Sequence, residues 1–309
     1  MLKIRSLFKL LIIAALMCSC ATDVVNRTQH GQRPLAQPKK FFNGVKKRVA
    51  LLSFFNESPF GGEDLGVTAT SELLRELSRT GEFVVDPMGN KIFGSSKEIY
   101  AGGGTKLVQL SRKAKMQGVN FVVFGRIIDA RVREKTDEIG IVRETKAYSE
   151  AKVEIRIFDV NSNKEVFTET LNGQADDSSF RFFATDRESK LVYRRDLLRY
   201  SVRVATRRAI PRIMEIAAKL DWVGRVAKIT GGRIYINAGR ASGINIGDIL
   251  KVVTEGEEMY DPETGALIGV TKGQIKGTIE VVDFVGEDGS ATVLHSGGSV
   301  LEGDFVQLY

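Results

Sequence analysis

Phe121-Val122-Val123-Phe124-Gly125-Arg126-Ile127-Ile128 is an apolar run of strand length and reads as a core strand. Upstream, Arg48-Val49-Ala50-Leu51-Leu52-Ser53-Phe54 is a second such run bounded by basic residues, the pattern of a buried strand. Between them, Asp64 caps a helix through about Thr80, with Leu65, Leu73, Leu74 and Leu77 at helical spacing and Glu72, Arg75, Glu76 and Arg79 facing out. Gly81 stops it, and Phe83 to Pro87 reads as the next strand. A loop rich in glycine (Gly89, Gly94, Gly102 to Gly104) precedes a second helix near Thr105 to Gln117. Downstream, Ala151 to Val160 alternates strictly, Val153, Ile155 and Ile157 on one face and Lys152, Glu154 and Arg156 on the other. Asn161 to Lys164 is a turn, and Glu165 to Leu171 returns as the partner strand. A long helix then spans about Arg194 to Leu220, with Pro211 expected to kink or split it. The order β-α-β-α-β-β-β-α predicts an α+β fold, a mixed sheet with flanking helices.

After Trp222 the texture changes. Short strands alternate with Gly, Asn and Asp turns: Gly224 to Ile229, Arg233 to Asn237, Asp248 to Val253, Leu267 to Gly269, Gly277 to Val285, Ser290 to Leu294 and Phe305 to Leu308. With no helical periodicity, this predicts a small all-β, SH3-like barrel over 222–309. The sheet domain is expected over 46–221.

Three features of residues 46 to 220 resemble the CsgG family of curli assembly and transport lipoproteins, a CsgG/TolB-N-like fold. The first is Val49 to Phe54 followed by Asn56, and the second is Gly81-Glu82-Phe83-Val84-Val85-Asp86. The third is Gly118 to Ile127 followed by Val153 to Val166, where Asn163 stands at a turn position usually held by glycine. The stretches Asn237 to Asp248 and Asp261 to Gly269 resemble the C-terminal barrel of the flagellar ring protein FlgT. The two resemblances together imply an envelope assembly factor.

The first residues point to the same compartment. Lys3, Arg5 and Lys9 precede an apolar run, Leu10 to Met17, too short to span a bilayer, which needs about 20 residues. Cys18-Ser19-Cys20 follows, and a small residue directly before Cys20 resembles the bacterial lipobox, so 1–19 reads as a signal peptide and Cys20 as the lipidation site. An ordinary signal peptide leaves the placement of that cysteine unexplained. Ala21, where Asp would imply inner-membrane retention, favours the periplasmic face of the outer membrane. Residues 20–45 read as a lipidated, polar, flexible tether. Both cysteines of the chain lie within residues 1–20, so the mature body has no internal disulfide and no cysteine-ligated metal. Loss of three cations with the signal takes the formal charge from +7 to about +4, a mild basic excess that does not argue for nucleic acid.

In the curli channel, strands inserted on both sides of the pair equivalent to 151–171 build a shared membrane barrel. Here neither register of Ile139 to Glu150 is apolar throughout: one carries Arg143, the other Glu144 and Lys146. A basic side chain at mid-bilayer costs about 2–4 kcal/mol per strand. The second insertion, 176–200, begins with Phe180 and Phe182 but runs into Asp186, Glu188 and Lys190. Both read as soluble or partner-facing hairpins.

Only His30 and His295 exist, so a histidine triad or multi-histidine metal site is not supportable. Gly102-Gly103-Gly104-Thr105-Lys106 lacks the Gly-Lys-Ser/Thr ending of a phosphate loop and reads as a mobile loop. Asp176-Asp177 and Glu287-Asp288 read as exposed turns, and Asp261 to Gly265 as turn chemistry. Phe180, Phe182 and Phe183 are either a partner contact or core. The expectation is a non-enzymatic lipoprotein with no cofactor, metal or nucleic acid, which binds other envelope proteins and possibly itself in a ring. The alternatives are the secretion channel itself or a periplasmic activator of a cell-wall synthase.

Overall fold

The computed structural model describes residues 44–309 except 87–88, 138–143, 177–186 and 266, and the statements below concern those residues. Cys20, the tether to Asn43, Asp177 and the aromatic trio Phe180, Phe182 and Phe183 lie outside them, as do parts of both insertions.

The elements of the first part are β1 (Lys47–Leu51), β2 (Phe55–Asn56), α1 (Asp64–Thr80), β3 (Phe83–Asp86), α2 (Gly89–Phe93), α3 (Ser96–Met116), β4 (Phe121–Asp137), β5 (Glu144–Asp159), β6 (Lys164–Asp176) and α4 (Arg187–Lys219). They build a six-stranded mixed sheet in the order β3-β1-β4-β5-β6, with β2 also paired to β4. β1 runs parallel to β3 and β4, while β4-β5 and β5-β6 are antiparallel. The chain steps from β1 out to β3 through α1, then back past β1 to β4 through α2 and α3. Right-handed crossovers in opposite directions put those helices on opposite faces, and two separate cores result. Val49, Leu51, Phe121, Val123 and Ile127 pack against α1 and α4. Ala50, Leu52, Val122 and Phe124 pack toward α2 and α3. Burial on both faces is why β1 and β4 are near-continuous apolar runs, whereas β5 alternates.

Four expectations need correction. First, α4 begins at Arg187 rather than about 194 and continues through Pro211. Its inward stripe, Val202, Ala205, Ala209, Ile213 and Ala217, is fully buried, and that packing carries the helix past the missing N–H. Second, Gly102 to Gly104 is not a loop but lies inside α3, which breaks at Gly103 (φ 54°, ψ −142°), a conformation open to glycine. A capping box of Ser95 and Glu98 starts α3 a turn and more before the expected Thr105. Third, Glu72 does not face out: it is 3 % exposed and paired with Arg75 at 2.7 Å and with Arg207 of α4. Asp64 meets Arg199 at 2.9 Å and Glu76 meets Arg207 at 3.8 Å, so α1 and α4 run side by side in the same direction along a ladder of ion pairs. Fourth, Leu267–Val270 (β11) is not a barrel strand. It pairs with an element not expected from sequence, β10 (Glu258–Tyr260), as a two-stranded arm.

The rest forms a closed barrel of six strands in the order β12-β13-β8-β7-β14-β9. These are β7 (Val223–Thr230), β8 (Arg233–Ile236), β9 (Ile249–Val253), β12 (Ile275–Val285), β13 (Gly289–Gly297) and β14 (Phe305–Leu308). Inward residues Val226, Ile236, Leu250, Val252, Ile279, Val281 and Val306 fill it. Closure removes the sheet edges that an open array of such short strands would expose.

Candidate functional site

The sheet and the barrel meet at a polar junction built on Asp288, in the turn between β12 and β13. Its Oδ1 accepts the backbone N–H groups of Gly239 and Ser242, each at 2.8 Å. Its Oδ2 accepts the Ser242 hydroxyl at 2.6 Å and the Arg48 guanidinium of β1 at 2.6 Å. One carboxylate thus orders the 239–242 loop of the barrel and holds it to the sheet. This corrects the expectation of an exposed turn, since the Asp288 side chain is only 11 % exposed. Asn120 makes the second tie: its Oδ1 accepts the Arg48 N–H at 2.8 Å, and its Nδ2 donates to the Val223 carbonyl at 2.8 Å in a buried setting. Lys46 N–H donates to the Ser242 carbonyl at 2.8 Å.

Beside this junction lies a cleft of about 770 Å³ between the end of the sheet and barrel strands β9 and β14. The base of the β10-β11 arm, Thr254 to Gly256 and Val270 to Gly273, lines one side of it. Thr254 and Thr271 close the neck of the arm: Thr254 Oγ1 accepts from Gln274 N–H at 2.8 Å and Thr271 Oγ1 from Glu257 N–H at 2.8 Å. The arm is fastened to the β5-β6 turn by Asn163 Nδ2 donating to Glu258 at 2.8 Å and by Lys164 donating to the Ile268 carbonyl. Asn163 sits at φ 55°, a left-handed conformation that asparagine adopts more readily than most residues with a side chain. Lys115 pairs with Glu255 at 2.9 Å on the rim.

A third polar cluster lies on the α3 side of the sheet. Glu154 of β5 accepts the Tyr100 hydroxyl at 2.6 Å, Arg156 Nε at 2.8 Å and Arg126 Nη2 at 3.3 Å. The guanidinium carbons of Arg126 and Arg156 stand 4.6 and 4.7 Å from the Tyr100 ring centroid. Burial alone would push the Glu154 carboxyl up, but donation from Tyr100, Arg156 and Arg126 holds it below the ordinary carboxylate value. Burial, and then the Glu154 carboxylate, push the Tyr100 hydroxyl up, so it stays protonated as a donor. A carboxyl lowered by folding contributes stability that is present above its unfolded pKa and is lost as pH falls through the folded one. We expect Glu154→Gln to cost about 2 kcal/mol at neutral pH, the worth of hydrogen bonds to a charged group. It should also flatten the loss of stability below the ordinary carboxylate range of about pH 4. Urea denaturation of both proteins from pH 7 to 3 reads both effects, and parallel curves would refute the assignment.

Of the residues singled out in the sequence, Asp288 enters the junction and Glu154 the tyrosine cluster. His295 stands on the barrel with Glu280 at 3.7 Å, away from both. Among the described residues no group of three histidines, cysteines or carboxylates could hold a metal ion, and no helix is long and apolar enough to cross a membrane. Sequence reasoning missed Arg48, Asn120, Lys251 and Lys272. Only the basic flank of the first strand hinted at Arg48.

No known family model and no curated protein matches the chain. Among solved structures it is similar to a hypothetical protein of Chlamydia trachomatis, at 16% identity over 57% of this chain and 98% of the other, with a TM-score of 0.35. A minor lipoprotein of Acinetobacter baumannii superimposes at 11% identity over 57% of this chain and 96% of the other, TM-score 0.31. The E. coli protein LpoB does so at 10% identity over 41% and 56%, TM-score 0.27. Several neighbours are bacterial lipoproteins, but superpositions this partial assign neither family nor function, and they show neither a CsgG nor a FlgT relationship.

Proposed function

We propose that this protein is a non-enzymatic envelope lipoprotein, anchored through lipid on Cys20 at the periplasmic face of the outer membrane. It acts as a scaffold or assembly component that binds other envelope proteins. The observation that carries the reading is the junction at Asp288 and Asn120. It fastens the sheet and the barrel into one presenting body, and its charged groups serve that attachment rather than a reacting centre. The described part of the β4-β5 ribbon supports a role outside the bilayer. Arg131 pairs with Asp129, Arg133 with Glu150 at 3.9 Å, and Glu134 with Arg194 of α4, so charge lies on both faces. At the far end of the ribbon, Ala147 and Ala175 pack on Leu197 of α4 instead of facing lipid.

The test is metabolic labelling with a radioactive fatty acid, followed by sizing of the full-length protein in mild detergent. Label that is lost in Cys20→Ala, a small extracted species, and chemical crosslinks to a defined set of envelope proteins are expected. A large detergent-bound ring that conducts ions in planar bilayers would instead make it the secretion channel.

A further inference from the structure

Some of the polar side chains that line the cleft already have partners, and others do not. Its three carboxylates are committed. Asp159 accepts the N–H groups of Asn161 and Ser162 at 3.2 and 3.1 Å, Glu255 holds Lys115, and Asp221 faces the buried ammonium of Lys47. Two of its cations are not: among the described residues neither Lys272 nor Lys251 makes an ion pair, and the Lys251 ammonium stands 5.5 Å from the ring centroid of Tyr309. Two more groups are orphaned there. The side-chain Nδ2 of Asn161 and Oγ of Ser162, both in residues that line the cleft, are shielded from solvent yet have no hydrogen-bond partner among the described residues. A buried polar group left unpaired costs about 1–3 kcal/mol, so such groups mark a place where a partner is expected. The cleft therefore offers two free ammonium groups, and just behind its wall at residues 161 and 162 lie an amide donor and a hydroxyl that a turn of either side chain would bring to it. Its volume of about 770 Å³ lies in the range of small-ligand sites.

We propose that this cleft binds a small carboxylate-bearing ligand, with Lys251 and Lys272 neutralising the carboxylate and Asn161 and Ser162 donating to its oxygens. The ligand chemistry is met by an acidic sugar or by the carboxylates of a short acidic peptide. This inference goes beyond the scaffold reading and does not depend on it, because it concerns the folded body whatever anchors it.

The protein carries its own reporter: its single tryptophan, Trp222, lines the cleft. Full-length protein in mild detergent would be titrated with trigalacturonic acid, with the tripeptide Gly-Asp-Glu, with the methyl esters of both, and with sulfate, following tryptophan fluorescence. The expected result is a saturable change with at least one free acid, none with its ester, and affinity weakened about tenfold or more by Lys272→Glu, in keeping with the worth of a charge-assisted contact. A response to the uronate alone identifies an acidic sugar, and a response to the tripeptide alone a peptide carboxylate. Lys272 is exposed, so its variant should melt like the parent; Lys251→Glu provides the second reversal. No response to either acid, an equal response to esters or sulfate, or binding that ignores both charge reversals would overturn the proposal.

Discussion

Asp288→Ala should destabilise the folded body by about 3 kcal/mol or more, because it breaks a largely buried ion pair and strands its partner. The carboxylate takes four contacts on two oxygens, from Gly239 N, Ser242 N, Ser242 Oγ and Arg48. Alanine supplies none of these, and the Arg48 side chain, only 25 % exposed, is left with a long contact of 3.4 Å to the Asn237 carbonyl. Asp288→Asn is the sharper variant. It preserves shape and one acceptor for the loop amides, but presents either a neutral oxygen or an amide N–H to the guanidinium. It should therefore recover the loop contacts and lose the sheet contact. Urea denaturation of Asp288→Ala, Arg48→Ala and the double variant measures the coupling directly. A coupling near zero would mean that the sheet and the barrel are held by Asn120, Lys46 and the contacts of the arm instead, with the Asp288–Arg48 pair adding nothing.

The parts of the fold legible in the sequence are those whose cause is local or periodic. Phe121 to Ile128 and Val49 to Phe54 are strands because two covered faces demand unbroken apolar runs, and Val153, Ile155 and Ile157 are buried because alternation says so. The turn grammar after Trp222 forecast a barrel, and six of the seven expected strands close it. What was not legible depends on partners distant in sequence. Glu72 looks like any exposed helix carboxylate until Arg207, 135 residues away, arrives over it. Gly102 to Gly104 looks like a loop because glycine lowers helix propensity, and nothing nearby reveals that Ile99 and Leu110 on either side pack into the same core. Pro211 argues for a break, and tertiary packing overrides it.

The junction and the cleft were illegible for the same reason. Asp288 sits in Gly286-Glu287-Asp288-Gly289, a stretch that reads as turn chemistry, and its importance comes from Arg48, 240 residues earlier. Lys251 and Lys272 are two of 45 basic residues. They matter because the acids around them are already used, a fact of inventory in space that no spacing rule encodes. The aromatic trio proposed as a partner contact, Phe180, Phe182 and Phe183, falls outside the described residues and stays an expectation.

Gly173→Ala is the substitution of one methyl group that should do the most damage. Gly173 lies on β6, opposite Ala151, where α4 crosses the strand. A Cβ there would stand 1.9 Å from the Ser201 carbonyl oxygen, 2.6 Å from Ala205 N and 3.0 Å from its Cβ. The two nearest atoms are helix backbone, which cannot rotate away as a side chain would, so the helix itself must lift. Its φ is not positive, and the requirement is therefore space rather than backbone freedom. Overpacking typically costs about 1–3 kcal/mol, and backbone contacts this short place Gly173→Ala at about 3 kcal/mol or above. The loss should not be local. Lifting α4 also disturbs the Arg207 contact with buried Glu72, so amide exchange should rise along both α1 and α4. Adding Ala205→Gly removes only the 3.0 Å contact and should restore little, because the Ser201 oxygen remains. If the double variant recovered parental stability, methyl crowding rather than helix backbone would be the constraint, and the close approach of β6 to α4 would be looser than this geometry requires.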